Sequence, residues 1–324
     1  MKEFIFGVLA YNQENLIVQT LESIKLQKIN YGEKIAVELI VVDDASKDKT
    51  VLVVNQWIDK NRQYFSNAKC IANEKNKGTV VNYQTILEHI QNECFKIIAG
   101  DDLISSDNLF KEYEDLMVNR IKTYARIYLK NNKILYEEKD LIDFYYHLKH
   151  SGKQRYNLKN FRRGCFFHTP STLFNKSLFD TANCADAIKG FFLFEDDPTW
   201  YSMLKQETTE IRFVDKGIVL YRIHDKAVSN APNPIFEADL MRLRQQYCDD
   251  TKGFEHLYFC SRLNTKLPNY LKLDKYVDKI LHIYRKLVCQ FDKEYGVFLE
   301  SIAKQVDREQ EYFDKIIESI EKEK

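Results

Sequence analysis

The sequence predicts an α/β fold built on a mainly parallel sheet, and three observations carry that expectation. Within the first hundred residues, four short apolar runs alternate with three segments of helical period, the pattern of successive βαβ units. The second run, residues 37–42 (VELIVV), is β-branched and continuous, which suits a strand covered on both faces. The second and fourth runs each end in adjacent carboxylates, Asp43-Asp44 and Asp101-Asp102. Right-handed crossovers bring parallel strand ends to one edge, and open α/β sheets bind ligands at that edge.

Taken in order, residues 4–10 form the first strand, and Tyr11-Asn12 ends it. Asn12 is placed as a helix N-cap, ahead of a face built from Leu16 or Ile17, then Leu21 and Ile24. A helix from about Thr50 turns Val51, Val54 and Ile58 inward. Residues 69–72 are a third strand, residues 73–78 are turn-like, and Tyr83, Ile86, Leu87 and Ile90 mark a third helix. Residues 95–99 then lead through Gly100 to Asp101.

The middle of the chain is less regular. Leu109, Tyr113 and Leu116 share one helix face, residues 124–129 read as a strand, and residues 139–150 as a helix inside an insertion. Residues 165–171 (CFFHTPS) are an aromatic run broken by Pro170. Residues 191–194 precede the triplet Glu195-Asp196-Asp197, with Pro198 expected at the first helical position. Residues 211–224 read as a hairpin turning at Asp215-Lys216-Gly217. Beyond Pro232 and Pro234, Tyr276, Ile280, Tyr284, Leu287, Phe291, Phe298, Ile302, Phe313, Ile316 and Ile320 keep helical spacing. That helical region is expected to pack on its own domain, with a surface for a second copy or a partner as the other reading.

Bulk composition narrows the function. Lys+Arg and Asp+Glu are both 48, giving zero formal net charge. A sequence-independent nucleic-acid binder needs a basic field, so no nucleic-acid partner is expected. The seven cysteines include no CxxC pair, which favours free thiols in a reducing cytoplasm. The first residues lack the pattern of a signal peptide, and no apolar run reaches about 18 residues. A cytoplasmic protein without a membrane-spanning helix is expected.

Two readings stand for each chemical motif. Asp101 and Asp102 hold a hard divalent cation, Mg²⁺ or Mn²⁺, which takes oxygen ligands, or they form a solvated turn. Asp43 and Asp44 meet a ligand or cap the next loop. His224, at a strand end, is a ligand or a structural ring. Arg222 contacts phosphate or pairs with a buried acid.

From residue 4 to residue 229 the sequence resembles glycosyltransferase family 2, which has the GT-A fold. The pieces occur in the family's order: Leu9-Ala10-Tyr11-Asn12, then Val41-Val42-Asp43-Asp44-Ala45-Ser46 with Asp48 and Thr50, then Asn76-Lys77-Gly78 with Asn82. Gly100-Asp101-Asp102 stands at the DXD metal position, Glu195-Asp196 at the acidic pair that supplies the base, and Tyr221-Arg222-Ile223-His224 with Ser229 at the C-terminal YR-x-H…S. The resemblance implies an inverting transfer from a nucleotide-sugar, with UDP favoured because the Asp44 carboxylate can accept from the ring N–H of uracil. It puts Leu9, Tyr11, Asn12, Asp43, Asn76, Lys77, Gly78, Asn82 and Arg222 around the nucleotide. Asp102 becomes the metal ligand, with Asp101 toward ribose or metal and His224 on the metal or the diphosphate. Asp196 becomes the base, with Glu195 beside it. One departure is Val81, where the family often has Arg; Lys77 is the cation available instead.

The implied cofactor is Mn²⁺ or Mg²⁺, and the implied acceptor is a glycan or lipid-linked hydroxyl in surface polysaccharide synthesis. Residues 1–230 would be the catalytic domain, with a nucleotide half to about 105 and an acceptor half from about 106. Residues 231–324 would be a helical region, available for a homo-oligomer or for docking at the inner face of a membrane. Two rivals share the fold class. A sugar nucleotidyltransferase resembles proteins with a Gly-rich loop after the first strand, where this chain has Tyr11-Asn12-Gln13-Glu14. A catalytically silent glycan-binding scaffold would have lost its acids, and here all are present.

Overall fold

Strand β1 (Glu3–Ala10) lies between β2 (Ala36–Asp43) and β4 (Phe95–Ala99), with β3 (Asn67–Ala72) outside β2, in a sheet of order β3-β2-β1-β4. All three pairings are parallel. The computed structural model describes residues 2–91, 93–150, 158, 161–162, 167–224, 234–263 and 273–322. Leu9 stands opposite both Val42 and Ala99, so the carboxylate-bearing ends of β2 and β4 meet at one edge.

The helices between these strands cover both faces. Ile17, Leu21 and Ile24 of α1 (Ile17–Tyr31) and Val54, Trp57 and Ile58 of α2 (Thr50–Asn61) pack with Phe4, Phe6, Val8, Leu39 and Val41. Val80, Tyr83, Ile86 and Leu87 of α3 (Thr79–His89) pack with Ile5, Ile40 and Val42 on the other face. Strand side chains alternate between faces, which is why a continuous apolar run serves both layers. Each such fully buried side chain contributes about 1.5–3 kcal/mol. Asn12 does not cap α1: the N-cap is Leu16, without a side-chain bond, and Asn12 takes a left-handed φ of 52° in the preceding loop.

After β5 (Leu103–Ile104) and α4 (Leu109–Glu114) the chain enters two further sheets. Residues 124–129 are not one strand. They break at Ala125-Arg126 into β6 (Arg120–Tyr124) and β7 (Ile127–Lys130), and β8 (Lys133–Leu135) folds back on β7. Helix α5 (Glu138–His150) follows, then β9 (Thr172–Leu173), α6 (Lys176–Thr181), α7 (Cys184–Ala187) and α8 (Asp196–Lys205). Pro198 is therefore the third residue of α8 rather than its first.

The expected hairpin is also absent. Strand β10 (Glu210–Val214) pairs parallel with β6, and β11 (Val219–Arg222) pairs parallel with β7 and antiparallel with β5. Both segments, β6–β7 and β10–β11, step between sheets at the same level, where Ala125 N donates to Lys216 O at 2.9 Å. The turn signal at 215–217 thus marks a step between sheets.

Among the described residues four helices follow: α9 (Pro234–Asp249), α10 (Phe254–Leu263), α11 (Leu273–Phe291) and α12 (Lys293–Lys322). Helix α12 lies against the sheet of β5, β11, β7 and β8, where Phe313 and Ile316 pack with Leu103, Ile127, Leu129 and Leu220. Its buried Glu309 accepts from Ser106 N at 2.8 Å and Ser106 Oγ at 2.7 Å, and Gln305 brackets the backbone of Gly217. Helix α11 instead leaves Tyr276, Ile280, Ile283, Tyr284, Leu287 and Phe291 exposed. Among the described residues no helix is long and apolar enough to cross a membrane. Ser229 and Cys165 lie outside the described residues.

Candidate active site

Three loops converge on the carboxyl edge of the first sheet. Asp43 is buried and accepts from Ser46 N at 2.9 Å and Ser46 Oγ at 2.5 Å. Asn12 N donates to Ser46 Oγ, and Asn12 Oδ1 accepts from Lys47 N, both at 2.8 Å. These side chains fasten the β1 and β2 loops together. Leu9 takes part through its carbonyl, which accepts from Gly100 N at 2.8 Å. Tyr11 is exposed beside this seam.

Asp44 points at the loop before α3. Its carboxylate accepts from Lys77 N at 2.7 Å and Gly78 N at 3.0 Å, and its carbonyl accepts from Asn76 Nδ2 at 3.4 Å. Gly78 has φ 84°, and a Cβ there would stand 2.7 Å from Phe192 O, so both backbone geometry and space require glycine. Asn82 is buried and donates to Gly78 O at 3.0 Å while accepting from Asn73 Nδ2 at 2.6 Å. It braces this loop from inside. Lys77 and Val81 are exposed.

At the end of β4 the paired acids differ. Asp102 is only 1% exposed; Oδ1 accepts from Arg222 N at 2.8 Å, and Oδ2 has no hydrogen-bond partner. Burial, then the neighbouring Asp101, pushes its carboxyl well above the usual range. Asp101 Oδ2 lies 2.8 Å from His224 Nε2. Asp101 and Asp102 offer adjacent carboxylate oxygens, the ligand type that Mn²⁺ or Mg²⁺ takes. The orphaned oxygen of Asp102 is what such a cation would satisfy.

Arg222 is committed elsewhere. Its Nε donates to Asp101 O at 2.7 Å, one terminal nitrogen donates to Gln19 Oε1 at 2.6 Å, and the guanidinium stands over the Phe313 ring. It clamps the Asp101-Asp102 turn to α1 and α12. Its backbone N–H, not its guanidinium, meets the buried acid. Beneath the turn, Lys96 Nζ donates to Thr172 O at 3.1 Å, and burial pushes its ammonium down to about 7 against the pull of Asp102.

The acidic triplet opens α8 at the rim of a cleft of about 290 Å³. Asp196 Oδ2 accepts from Thr169 Oγ1 at 3.2 Å, and Oδ1 accepts from Asp197 N at 2.7 Å. Burial raises the carboxyls of Asp196 and Glu195, and Asp196 raises Glu195 further. The cleft is also lined by Arg126, Tyr128, His168 and Tyr221. His168 sets Nδ1 2.9 Å from Ser171 Oγ, and burial holds its pKa well below the ordinary value, so the ring is neutral at pH 7. Tyr221 precedes Arg222 on β11, which places this cleft one residue from the arginine that clamps the Asp101-Asp102 turn. Arg126 and Tyr128 escaped the sequence reading. The one available signal was an arginine inside an apolar run.

A family model described as "Glycosyl transferase family 2" matches residues 6–182. An uncharacterized glycosyltransferase of Rickettsia typhi is 24% identical over 319 residues, covering 91% of this chain and 87% of that protein. One from Haemophilus influenzae is 29% identical over 102 residues, and the match spans 30% of this chain and 39% of that relative. Residues 1–349 of S. aureus TarS in complex with UDP-GlcNAc superpose with a TM-score of 0.55 at 16% identity, covering 100% of this chain and 93% of that one. The mannosyltransferase PcManGT from Pyrobaculum calidifontis, in complex with GDP-Man and Mn²⁺, gives 0.50 at 14% identity over 97% and 85%. At these identities the likeness shows the fold.

Proposed function

The chain belongs to glycosyltransferase family 2, and from that premise we propose an inverting, metal-dependent hexosyltransferase that uses a UDP-sugar and a glycan or lipid-linked acceptor. The observation that carries this reading is the buried Asp102 with its orphaned Oδ2, next to the Asp101–His224 contact and bonded to Arg222, the residue after the cleft-lining Tyr221 on β11. Asp101, Asp102 and His224 would hold Mn²⁺ or Mg²⁺, which when bound neutralises the charge gathering on the departing diphosphate. The Asp44 carboxylate keeps lone pairs beyond those used by Lys77 N, Gly78 N and Asn73 Nδ2, and it meets the uracil ring N–H. Exposed Lys77 takes the phosphate-side position for which Val81 has no charge.

In the acceptor half, Asp196 takes the proton of the acceptor hydroxyl as that oxygen bonds to the anomeric carbon. The bond to the diphosphate oxygen breaks with its electron pair, and the anomeric configuration inverts. A raised Asp196 carboxyl suits a base working near neutral pH. Tyr128, Tyr221 and His168 supply the rings and the neutral polar atoms of a sugar-binding cleft. Surface polysaccharide synthesis at the inner face of a membrane fits the exposed apolar stripe of α11.

Thermal unfolding with UDP, Mn²⁺, or both tests the donor half. The expected result is an upward shift in Tm with UDP that grows in Mn²⁺, since a ligand at 100 times its Kd adds about 2.7 kcal/mol. A UDP shift indifferent to metal removes the metal assignment. A panel of nucleotide-sugars scored for hydrolysis then identifies the donor, and no turnover with any UDP-sugar removes the UDP reading.

A further inference from the structure

Away from the cleft, the junction of α9 and α10 gathers three soft ligand atoms. Cys248 Sγ, near the end of α9, lies 3.0 Å from Cys260 Sγ on α10. His256, one turn before Cys260 on the same helix, sets Nε2 3.4 Å from Cys260 Sγ. The other ring nitrogen, Nδ1, is 3.0 Å from Cys248 O. A carbonyl only accepts, so Nδ1 carries the proton and Nε2 presents a lone pair on the Cys260 side. A histidine whose other N–H is fixed on a backbone carbonyl has the usual outer-shell arrangement of a metal-bound imidazole. The ligand atoms of the three residues all lie within 4.8 Å of one another.

From this cluster we propose that Cys248, His256 and Cys260 form a zinc site, separate from the hard-cation site at Asp101 and Asp102. Two thiolates and one imidazole select a borderline-soft ion over Mg²⁺ or Mn²⁺. Zinc bonds of about 2.3 Å to sulfur at a tetrahedral angle put two sulfurs about 3.7 Å apart, so loading needs the pair to open by less than about 1 Å. Cys248 is buried, Cys260 half-buried and His256 exposed. The site therefore has an inner wall and an open side, where water completes four-coordination. Loading releases the thiol protons of Cys248 and Cys260 to solvent.

The position gives the site a structural consequence. Helix α9 supports the loop ahead of the base: Asp239 Oδ2 accepts from Phe192 N, Leu193 N and Phe194 N at 2.9, 2.7 and 3.2 Å. Beside Cys248, the Tyr247 ring packs against Tyr201 of α8, and Asp250 accepts from Tyr201 OH at 2.6 Å and Lys205 Nζ at 2.9 Å. A metal joining Cys248 to α10 would fix the end of the helix that props α8, whose first residue is Asp196.

The test uses the full chain, reduced, stripped with chelator and titrated with Co²⁺ as a spectroscopic stand-in for Zn²⁺. We expect one equivalent to develop a thiolate-to-cobalt charge-transfer band that Zn²⁺ bleaches, and Zn²⁺ to raise the Tm. Asp102→Asn should keep the band, because carboxylate ligation at the other site produces none. Cys260→Ser and His256→Ala should each lose the saturable band; His256 is exposed, so that variant does not depend on repacking a core. A band that survives both substitutions overturns the proposal, as does a reduced wild-type protein with no band. An isolated protein whose mass is lower by the two hydrogens of a Cys248–Cys260 disulfide, and which takes up no Co²⁺ after reduction, overturns it as well.

Discussion

The backbone N–H of Arg222 donates to Asp102 Oδ1 at 2.8 Å, joining residues 120 positions apart. It occupies one oxygen of the buried acid and leaves the other unpartnered. The last residue of β11 thus holds the Asp101-Asp102 turn in shape.

Asp102→Asn is expected to keep the bond from Arg222 N and lose the negative charge. UDP should then bind without help from Mn²⁺, and turnover should fall to background. Asp102→Ala should behave alike in activity and unfold at a lower temperature, since it strands the Arg222 N–H. Calorimetry of UDP binding with and without Mn²⁺ checks both. A metal-enhanced affinity retained in Asp102→Asn would refute the assignment.

Asp44→Ala is expected to weaken UDP even without metal, because it removes the acceptor for the base and also releases Lys77 N and Gly78 N. Asp44→Asn separates the two roles. Its one remaining oxygen can hold a single loop N–H, so a partly ordered loop with weak UDP binding is the expected outcome. Equal UDP affinity in wild type and Asp44→Ala would take this residue out of the site.

Asp196→Asn should lower kcat by about 10² to 10⁴-fold with little change in donor KM, as expected for loss of a general base acting on the acceptor. Glu195→Gln and Asp197→Asn should each cost less. The wild-type pH profile carries a second mark. The base works deprotonated and its pKa is raised by burial, so activity should fall as pH drops through a value above the ordinary aspartate pKa of about 3.9. Loss of that acid limb in Asp196→Asn is the signature; a wild-type rate in all three variants would move the base elsewhere.

Asp239→Ala is expected to reduce kcat more than it weakens UDP binding in Mn²⁺, because the loop it holds also accepts from Val80 N through Phe192 O. Three backbone N–H groups share its Oδ2, and leaving buried donors unpaired costs about 1–3 kcal/mol each. Asp239→Asn should restore part of the rate. Steady-state kinetics beside a UDP titration reads the difference.

Phe313→Ala should destabilise by about 3–5 kcal/mol, the usual cost of emptying a buried aromatic site, because the ring packs under Arg222 and among Leu103, Ile127 and Leu220. Removal of α12 should abolish UDP binding along with stability. A folded truncation ending at Phe291 that still binds UDP would show that α12 is dispensable to the donor site.

By itself the sequence determined the first sheet and the residues on its lip. Local information suffices there: each apolar run is one strand, each crossover is a single helix with an apolar face, and parallel order brings Asp44 and Asp102 to the same edge. The tertiary structure decided the acceptor half. The run at 124–129 is apolar but for Arg126, yet its two halves pair with β10 and β11 in different sheets, and periodicity within one strand carries no record of its partner. It also decided which motif residues face outward. Asn82 and the Arg222 side chain match the family's order, but their polar atoms are consumed by Gly78, Asn73, Asp101 and Gln19, contacts that exist only after distant segments pack. The same holds for the junction of α9 and α10, where Cys248 and Cys260 stand 12 positions apart in sequence and 3.0 Å apart in space, because a helix–turn–helix sets that distance and cysteine spacing alone does not.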